Sequence, residues 1–264
     1  MDRADSGGAA AGQGRAGSHG SGGSADSRML DDFDRAVSAA TLHAFAGSEG
    51  FDWAIRLLIE VDLLRVGPII GLLVFTWVSP RGRVEAHPEF ILRSLLGIVA
   101  ATMLSRILQQ FVLPERLRPR FAPDALPFPG LGHLSILSDW SSFPSDTATF
   151  IFAVVAAIAV ASRPLAWMAA VWAVLVVCFP RLYLGYHYLS DLVAGAALGI
   201  GVMAFIQWLP LLRRPACLAR KLAERYPAVV FAALVLVGYE LLTAFRTLRQ
   251  ARDALRDLLH ALSA

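Results

Sequence analysis

The chain has 264 residues, of which 56% are hydrophobic and only 17% are charged, and its mean hydropathy is +0.56. This composition is too apolar for an ordinary soluble domain, and several apolar runs reach membrane-spanning length. The net charge is only +3, and the basic residues lie beside apolar runs rather than in a patch interleaved with aromatic residues, which argues against nucleic-acid binding. The sequence therefore predicts an all-α integral membrane protein, a polytopic bundle of helices.

The predicted elements begin with a tail and an amphipathic helix. Residues 1–28 are rich in Gly, Ser, Ala and Asp, so we expect a disordered tail that is neither a signal peptide nor a span. Residues 29–46 have the pattern of an amphipathic helix lying on the membrane surface. About six transmembrane helices follow, in one domain over 29–245. Their predicted bounds are 53–79, 89–112, 147–162, 165–179, 190–210 and 227–245.

The last segment, 246–264, repeats leucines at heptad spacing between arginines. It is expected to be an amphipathic helix that lies on the surface or extends the last span, in preference to an oligomerising coiled coil. In the first span, charged residues precede Val66, so only the part after Val66 is expected to be fully buried in lipid. Cys178 and Cys217 fall on opposite membrane faces in this topology, and no disulfide is expected between them.

The orientation of the bundle is predicted from its charge. The connections after the first, third and fifth spans carry nine of the basic residues, which by the positive-inside rule places them in the cytoplasm. The opposite, outer face then holds both termini, the loop of about 34 residues after the second span, and the connection between the fourth and fifth spans.

That last connection, residues 180–191, is the most informative stretch of the chain. His187 and Asp191 are four residues apart, so on a helix they would share one face. A carboxylate there can hold the imidazole Nδ1–H and leave Nε2 free as a nucleophile, while Arg181 offers a planar fork for phosphate oxygens. The alternative left open is an interfacial belt of Arg, His and Tyr in which Asp191 only caps a helix.

Two further elements are expected on the same face. Residues 114–120 provide Arg116 and Arg118, and residues 141–147 provide Ser145 at the start of the third span. Arginines can neutralise phosphate and its developing transition-state charge without a metal, and a helix N-terminus adds donors. The sequence therefore predicts phosphoryl transfer, with no cofactor and no metal; in particular, no Cys/His cluster has zinc-ligand spacing.

These motifs resemble those of the type 2 phosphatidic acid phosphatase (PAP2) or lipid phosphate phosphatase superfamily, in its bacterial undecaprenyl-pyrophosphate phosphatase-like branch. That family shows K-x6-R-P, P-S-G-H and S-R-x5-H-x3-D in this order, and the resemblance covers roughly residues 100–210. It implies a metal-independent lipid phosphatase with His187 as nucleophile and Asp191 orienting it. It also implies that Arg118, Arg181 and Ser145 hold phosphate, with Arg116 assisting.

Asp146 stands at the Gly of P-S-G-H, which resembles a Pro-Ser-Asp-His variant of bacterial members, and the chain departs from the family pattern at three other positions. Pro180 replaces the Ser of the third motif, and Phe111 stands at the first-motif Lys, for which Arg116 is the expected replacement. Thr147 stands at the second-motif His, which in the family protonates the leaving oxygen. His133 and Asp146 are the candidate substitute acids. A pyrophosphate has a better leaving group and needs less protonation, so undecaprenyl pyrophosphate is the first expected substrate.

The resemblance implies a multi-pass protein of the bacterial inner membrane, with its site on the extracytoplasmic face and a lipid (pyro)phosphate as partner. A phosphotransferase that uses the same site is one alternative. The second is a catalytically silent member that binds lipid phosphate or a partner protein. A transporter is disfavoured, because the third to fifth spans carry almost no internal charge.

Overall fold

The computed structural model describes residues 25–45, 47–78, 88–129 and 141–209, with short pieces between 221 and 236. Within these residues the chain is helical and has no strand. The helices run in chain order as α1 (Ala25–Phe45), α2 (Glu49–Glu60), α3 (Asp62–Arg65), α4 (Gly67–Val78), α5 (Pro88–Ile107), α6 (Asp146–Ala161), α7 (Arg163–Trp172), α8 (Phe179–Tyr183) and α9 (Leu189–Trp208).

Two of these helices continue through π-helical turns. Residues Leu108–Val112 extend α5, and Ala173–Cys178 join α7 to α8. Three stretches are consequently long and apolar enough to cross a membrane, namely Glu89–Val112, Arg163–Tyr183 and Leu189–Trp208, and two shorter apolar helices accompany them. The chain is therefore a multi-pass membrane protein, and these stretches lie close to the predicted second, fourth and fifth spans.

Helix α6 forms the centre of the bundle and packs against α4, α5, α7 and α9. Its sequence has no charge after Asp146, and Ile151, Val154 and Ile158 are fully buried. The contact with α9 is close, because a Cβ added to Gly199 would lie 2.2 Å from the Thr149 carbonyl oxygen. The small residues of α9 thus serve helix packing.

The predicted first span is interrupted in the structure. Residues 49–78 form α2, α3 and α4, with breaks at Val61 and Val66. Arg65 is buried beside this break, pairs with Asp62 and donates to the Ile59 carbonyl oxygen at 2.8 Å. The apolar helix α4 begins at Gly67, so the charged residues before Val66 lie in separate short helices.

Helix α1 lies against the protein. It begins at Ala25, four residues before the sequence prediction, and it contacts α8 and α9. Asp34, Ser38 and Leu42 recur every four residues and form its buried face. Leu42 joins a small apolar cluster with Ile55 of α2 and with three residues near α8, which are Tyr183, Leu184 and Tyr186. Helices α1 and α2 therefore cover one end of the bundle.

Several sequence predictions concern residues outside the described part of the chain. They are the tail over 1–24, His133, Cys217, most of the sixth span and the helix over 246–264. Cys178 is a buried free thiol.

Candidate active site

The three motif segments, residues 114–120, 141–147 and 180–191, meet at one end of the helical bundle. We call this end, where α5 and α8 end and α6 and α9 begin, the site end. Backbone hydrogen bonds join the three segments. Ser142 N–H donates to the Arg116 carbonyl oxygen at 2.8 Å, and Ser145 N–H donates to that of Asp191 at 3.0 Å. The turn before α9 depends on Gly185, whose φ of +68° favours glycine. The three sequence motifs are thus brought together.

His187 is almost fully buried and lies in this turn rather than on a helix. Its Nδ1 is 3.0 Å from the Ser142 carbonyl oxygen, and its Nε2 is 3.3 Å from a guanidinium nitrogen of Arg118. A carbonyl oxygen can only accept a hydrogen bond and a guanidinium can only donate one. The proton of the neutral imidazole therefore belongs on Nδ1, and the lone pair is on Nε2.

The surroundings of His187 also favour its neutral form. Burial lowers the pKa of the imidazole, and the nearby Arg118 and Arg181 act in the same direction, while Asp191 opposes them. A neutral imidazole with a lone pair on Nε2 is the nucleophilic form of histidine.

Asp191 is fully buried and occupies the third position of α9. Its Oδ2 accepts the Tyr188 N–H at 2.8 Å in a capping box and lies 3.7 Å from the His187 Nδ1. The prediction that His187 and Asp191 share a helix face is wrong, because α9 begins at Leu189, after the histidine. The Ser142 carbonyl oxygen is the direct partner of Nδ1, and Asp191 lies behind it.

Arg116 lies on the far side of Asp191 from the imidazole. One of its nitrogens donates to Asp191 Oδ1 at 2.6 Å and to the Ser190 hydroxyl, and the other donates to Asp34 at 2.8 Å and Asp31 at 2.9 Å. Its guanidinium also lies over the Tyr188 ring, 4.3 Å from the centroid. Its terminal nitrogens are therefore engaged by carboxylates, unlike those of an arginine facing a substrate.

Arg118 contacts the histidine at Nε2, and Arg181 lies near it. Arg118 is buried and donates to the Tyr186 carbonyl oxygen at 3.0 Å beside its contact with Nε2. Arg181 donates through Nη2 to the Thr147 hydroxyl at 3.0 Å. Its buried Nη1 has no hydrogen-bond partner among the described residues. An unpaired buried donor is costly in a folded protein, and an anion would satisfy it.

The serines at the start of α6 have different roles. Ser145 is fully buried, and its Oγ caps α6 by accepting the Ala148 N–H at 3.3 Å. Ser142 is fully buried as well, and its Oγ lacks a partner among the described residues. The sequence analysis missed Ser142, although the Ser-Ser pair ahead of Pro144 was visible beside the second motif.

Thr147, at the position of the second-motif His, and Asp146, a predicted substitute acid, lie in the first turn of α6. Asp146 pairs with Arg106 of α5 at 2.5 Å, and the Thr147 hydroxyl is bound by Arg181. Arg106 was also missed by the sequence analysis. Its signal is a cationic residue in the last turn of a membrane helix, after the uncharged stretch 94–105.

Comparison with solved structures finds two distant similarities. The chain is 21% identical to the "first transmembrane PAP2 type phosphatidylglycerolphosphate phosphatase from Bacillus subtilis", with a TM-score of 0.45 over 68% of this chain and 85% of that one. It is 20% identical to Aquifex aeolicus LpxE, with a TM-score of 0.43 over 67% and 94% of the two chains. No curated protein matches the chain.

A family model supplies the stronger finding. The model of the PAP2 superfamily matches residues 90–215, which run from α5 past the end of α9 and include all three motif segments of the site end. The buried histidine and the arginines around it lie within that match. The part of the chain that holds the site, just under half of its length, is therefore similar to the PAP2 superfamily.

Proposed function

We propose that the protein is a lipid phosphatase that hydrolyses an isoprenoid or glycerolipid phosphate or pyrophosphate through a phosphohistidine on His187. The observation that carries this proposal is the fixed tautomer of that residue. The Ser142 carbonyl oxygen holds the proton on Nδ1, and the lone pair of Nε2 faces Arg118. A nucleophile and a phosphate-binding cation are thus within 3.3 Å of one another.

In the first step, the Nε2 lone pair attacks phosphorus and forms the P–N bond. The bond from phosphorus to the bridging oxygen breaks, and that oxygen leaves with its electron pair on the lipid. Arg118 and Arg181 bind the equatorial oxygens and stabilise their developing charge. The Ser142 hydroxyl is a further donor beside them.

In the second step, water attacks the phosphohistidine. The P–N bond breaks, its electron pair returns to Nε2, and inorganic phosphate forms with loss of a proton to solvent. If a lipid or sugar hydroxyl replaces this water, the same site acts as a phosphotransferase. Neither route requires a resident cofactor, since arginine supplies the positive charge.

The substrate preference follows from the leaving group. A Thr147 hydroxyl cannot protonate a leaving oxygen near neutral pH, and Asp146 is engaged with Arg106. Breaking a pyrophosphate releases a lipid phosphate, which needs less protonation than a lipid alcohol. Undecaprenyl pyrophosphate is therefore our first candidate, hydrolysed at the outer face of a bacterial inner membrane.

Phosphate release by the detergent-purified protein tests the proposal. Undecaprenyl pyrophosphate, phosphatidic acid and phosphatidylglycerophosphate are offered with EDTA present. We expect EDTA-resistant release, fastest with the pyrophosphate and lost in His187→Ala. The matched control is His43→Ala, because His43 is exposed on α1. Release that persists in His187→Ala would contradict the proposed nucleophile.

A second candidate function is binding of a lipid phosphate without turnover. It is favoured by one observation, the Thr147 hydroxyl bound to Arg181 at the position of the family's acid. A wild type that releases no phosphate, together with a Thr147→His variant that does, would support this reading. Measurable release by the wild type would exclude it.

A further inference from the structure

A buried carboxylate of α1 lies beside the site although it belongs to none of the three motifs. Asp34 is fully buried, and its Oδ1 accepts the Ser190 N–H in the first turn of α9 at 3.0 Å. Its Oδ2 accepts from the Ser190 hydroxyl and from Arg116. A buried carboxylate 156 residues away along the chain thus contacts the residue next to Asp191.

Arg116 links this carboxylate to the site. It binds Asp34 at 2.8 Å on one side and Asp191 at 2.6 Å on the other. Two buried carboxylates share one cation, so the group Asp34–Arg116–Asp191 carries one net negative charge. The exposed Asp31 adds a further contact to Arg116 at its outer edge.

This charge matters for the reaction proposed above. When Nε2 attacks phosphorus while Nδ1 keeps its proton, the imidazole ring becomes positively charged. Asp191, 3.7 Å from Nδ1, is the near end of the negative group and stabilises that charge. If Arg116 bound Asp191 alone, it would largely neutralise the charge of that carboxylate. Because Arg116 also binds Asp34, its single positive charge cannot neutralise both carboxylates.

We propose that Asp34 is a positioning residue, which acts through Arg116 to fix Asp191 and to keep net negative charge behind His187. The inference rests on the proposed role of His187 as nucleophile. It gives the N-terminal helix a part in the chemistry. It also reassigns Arg116 from phosphate binding to the support of Asp191.

Other charged groups also face the imidazole and set the background for a test. Arg118 lies on its Nε2 side, Arg181 lies nearby, and Asp146 at the start of α6 interacts with the imidazole and with both arginines. These groups are unchanged in variants of Asp34 and Arg116. A difference in midpoint between these variants therefore reports the effect of the group Asp34–Arg116–Asp191.

The test compares Asp34→Asn with Arg116→Gln. Without the Asp34 charge, Arg116 neutralises Asp191 more fully, so the acid midpoint of the pH–rate profile falls by about half a unit. The kcat for the best substrate then falls about three- to tenfold with little change in KM. Without Arg116, the Asp191 charge is no longer compensated, so the midpoint rises by a similar amount. Opposite shifts are the expected result.

Two controls separate this role from a structural one. Asp32→Asn makes the same chemical change at an exposed position of α1, and it is expected to change neither midpoint nor kcat. Asp34→Glu keeps the charge, and it is expected to restore the midpoint. Thermal melting in detergent shows whether each variant is folded. If Asp34→Asn is unfolded, the Arg116 variants still test the group: the midpoint should rise in Arg116→Gln and stay near that of the wild type in Arg116→Lys, which keeps the charge.

A readout without turnover keeps the inference distinct from the proposed function. The rate at which diethyl pyrocarbonate carbethoxylates His187 is followed against pH by mass spectrometry. Because only the neutral imidazole reacts, this rate has the same midpoint as the pH–rate profile. A wild type without phosphate release would refute the proposed function and leave this measurement intact. Midpoints that do not move in the folded variants, or that move in the same direction, would overturn the inference.

Discussion

The two ends of the bundle use arginine in opposite ways. At the end away from the site, Arg93 of α5 is buried, and each of its guanidinium nitrogens has a partner, either the Glu89 carboxylate or a carbonyl oxygen at the last turn of α9. At the site end, the buried Nη1 of Arg181 has no partner among the described residues. A fully paired arginine holds helices together, whereas an arginine with a buried, unpaired donor can bind a ligand.

Replacing these two arginines should separate stability from activity most strongly. Arg181→Met is expected to lower kcat/KM by about 10²–10³-fold, because it removes a donor to the transition state. It should leave the melting temperature nearly unchanged, because the loss of the hydrogen bond to the Thr147 hydroxyl is offset by the removal of an unpaired buried donor. Phosphate-release kinetics and melting in detergent measure both. A large loss of stability with intact activity would contradict the comparison.

Arg93→Met should behave in the opposite way. It leaves the last carbonyl groups of α9 and the Glu89 carboxylate without their partner, at a cost of about 1–3 kcal/mol, so the melting temperature falls. The kcat of the folded protein should remain close to that of the wild type, since Arg93 contacts the C-terminal end of α9, away from the site. A melting curve identical to that of the wild type would show that the pairing does not hold the helices.

The packing of α6 on α9 connects the two ends and gives a third test. A Cβ at position 199 would lie 2.2 Å from a backbone oxygen of α6, so Gly199→Ala must separate the helices. We expect destabilisation of about 1–3 kcal/mol, measured by thermal melting. Gly201→Ala is the matched control, because a Cβ at position 201 meets nothing within 4 Å and alanine favours the helix. Equal melting temperatures of the two variants would be inconsistent with this close contact.

The smallest expected effect concerns pH. Burial and the nearby arginines lower the pKa of His187 below its ordinary 6.5, and only the neutral imidazole can attack phosphorus. Phosphate release should therefore fall as the pH drops through a midpoint below about 6.5, rather than at or above it. A pH–rate profile of the wild type measures that midpoint. A midpoint above about 7 would mean that negative charge dominates at the imidazole, contrary to the surroundings seen here.

The sequence predicts the helical membrane class and the bounds of the long spans, because these depend on local apolar runs. It also brings Arg118, Arg181 and His187 into one region, since motif spacing places them at span ends. The shared helix face of His187 and Asp191 was wrong, because Gly185 and the cap at Tyr188 delay the start of α9.

What the sequence could not show are contacts between distant segments. The Ser142 carbonyl oxygen that accepts from Nδ1 is a backbone atom, and its position depends on how the second motif folds against the third. The sequence predicts that Asp34 belongs to an amphipathic helix on the membrane surface, because nothing in its local pattern indicates a partner in α9. Such pairings follow from tertiary packing rather than from periodicity.

The most direct test of the account is to trap the covalent intermediate. The protein is mixed with undecaprenyl pyrophosphate labelled in the terminal phosphate, quenched in alkali during turnover, and digested for mass spectrometry. The account predicts an acid-labile, alkali-stable phosphoryl group on His187, formed in the wild type and lost in His187→Ala. Turnover without a phosphorylated histidine, or with the label on another residue, would contradict it.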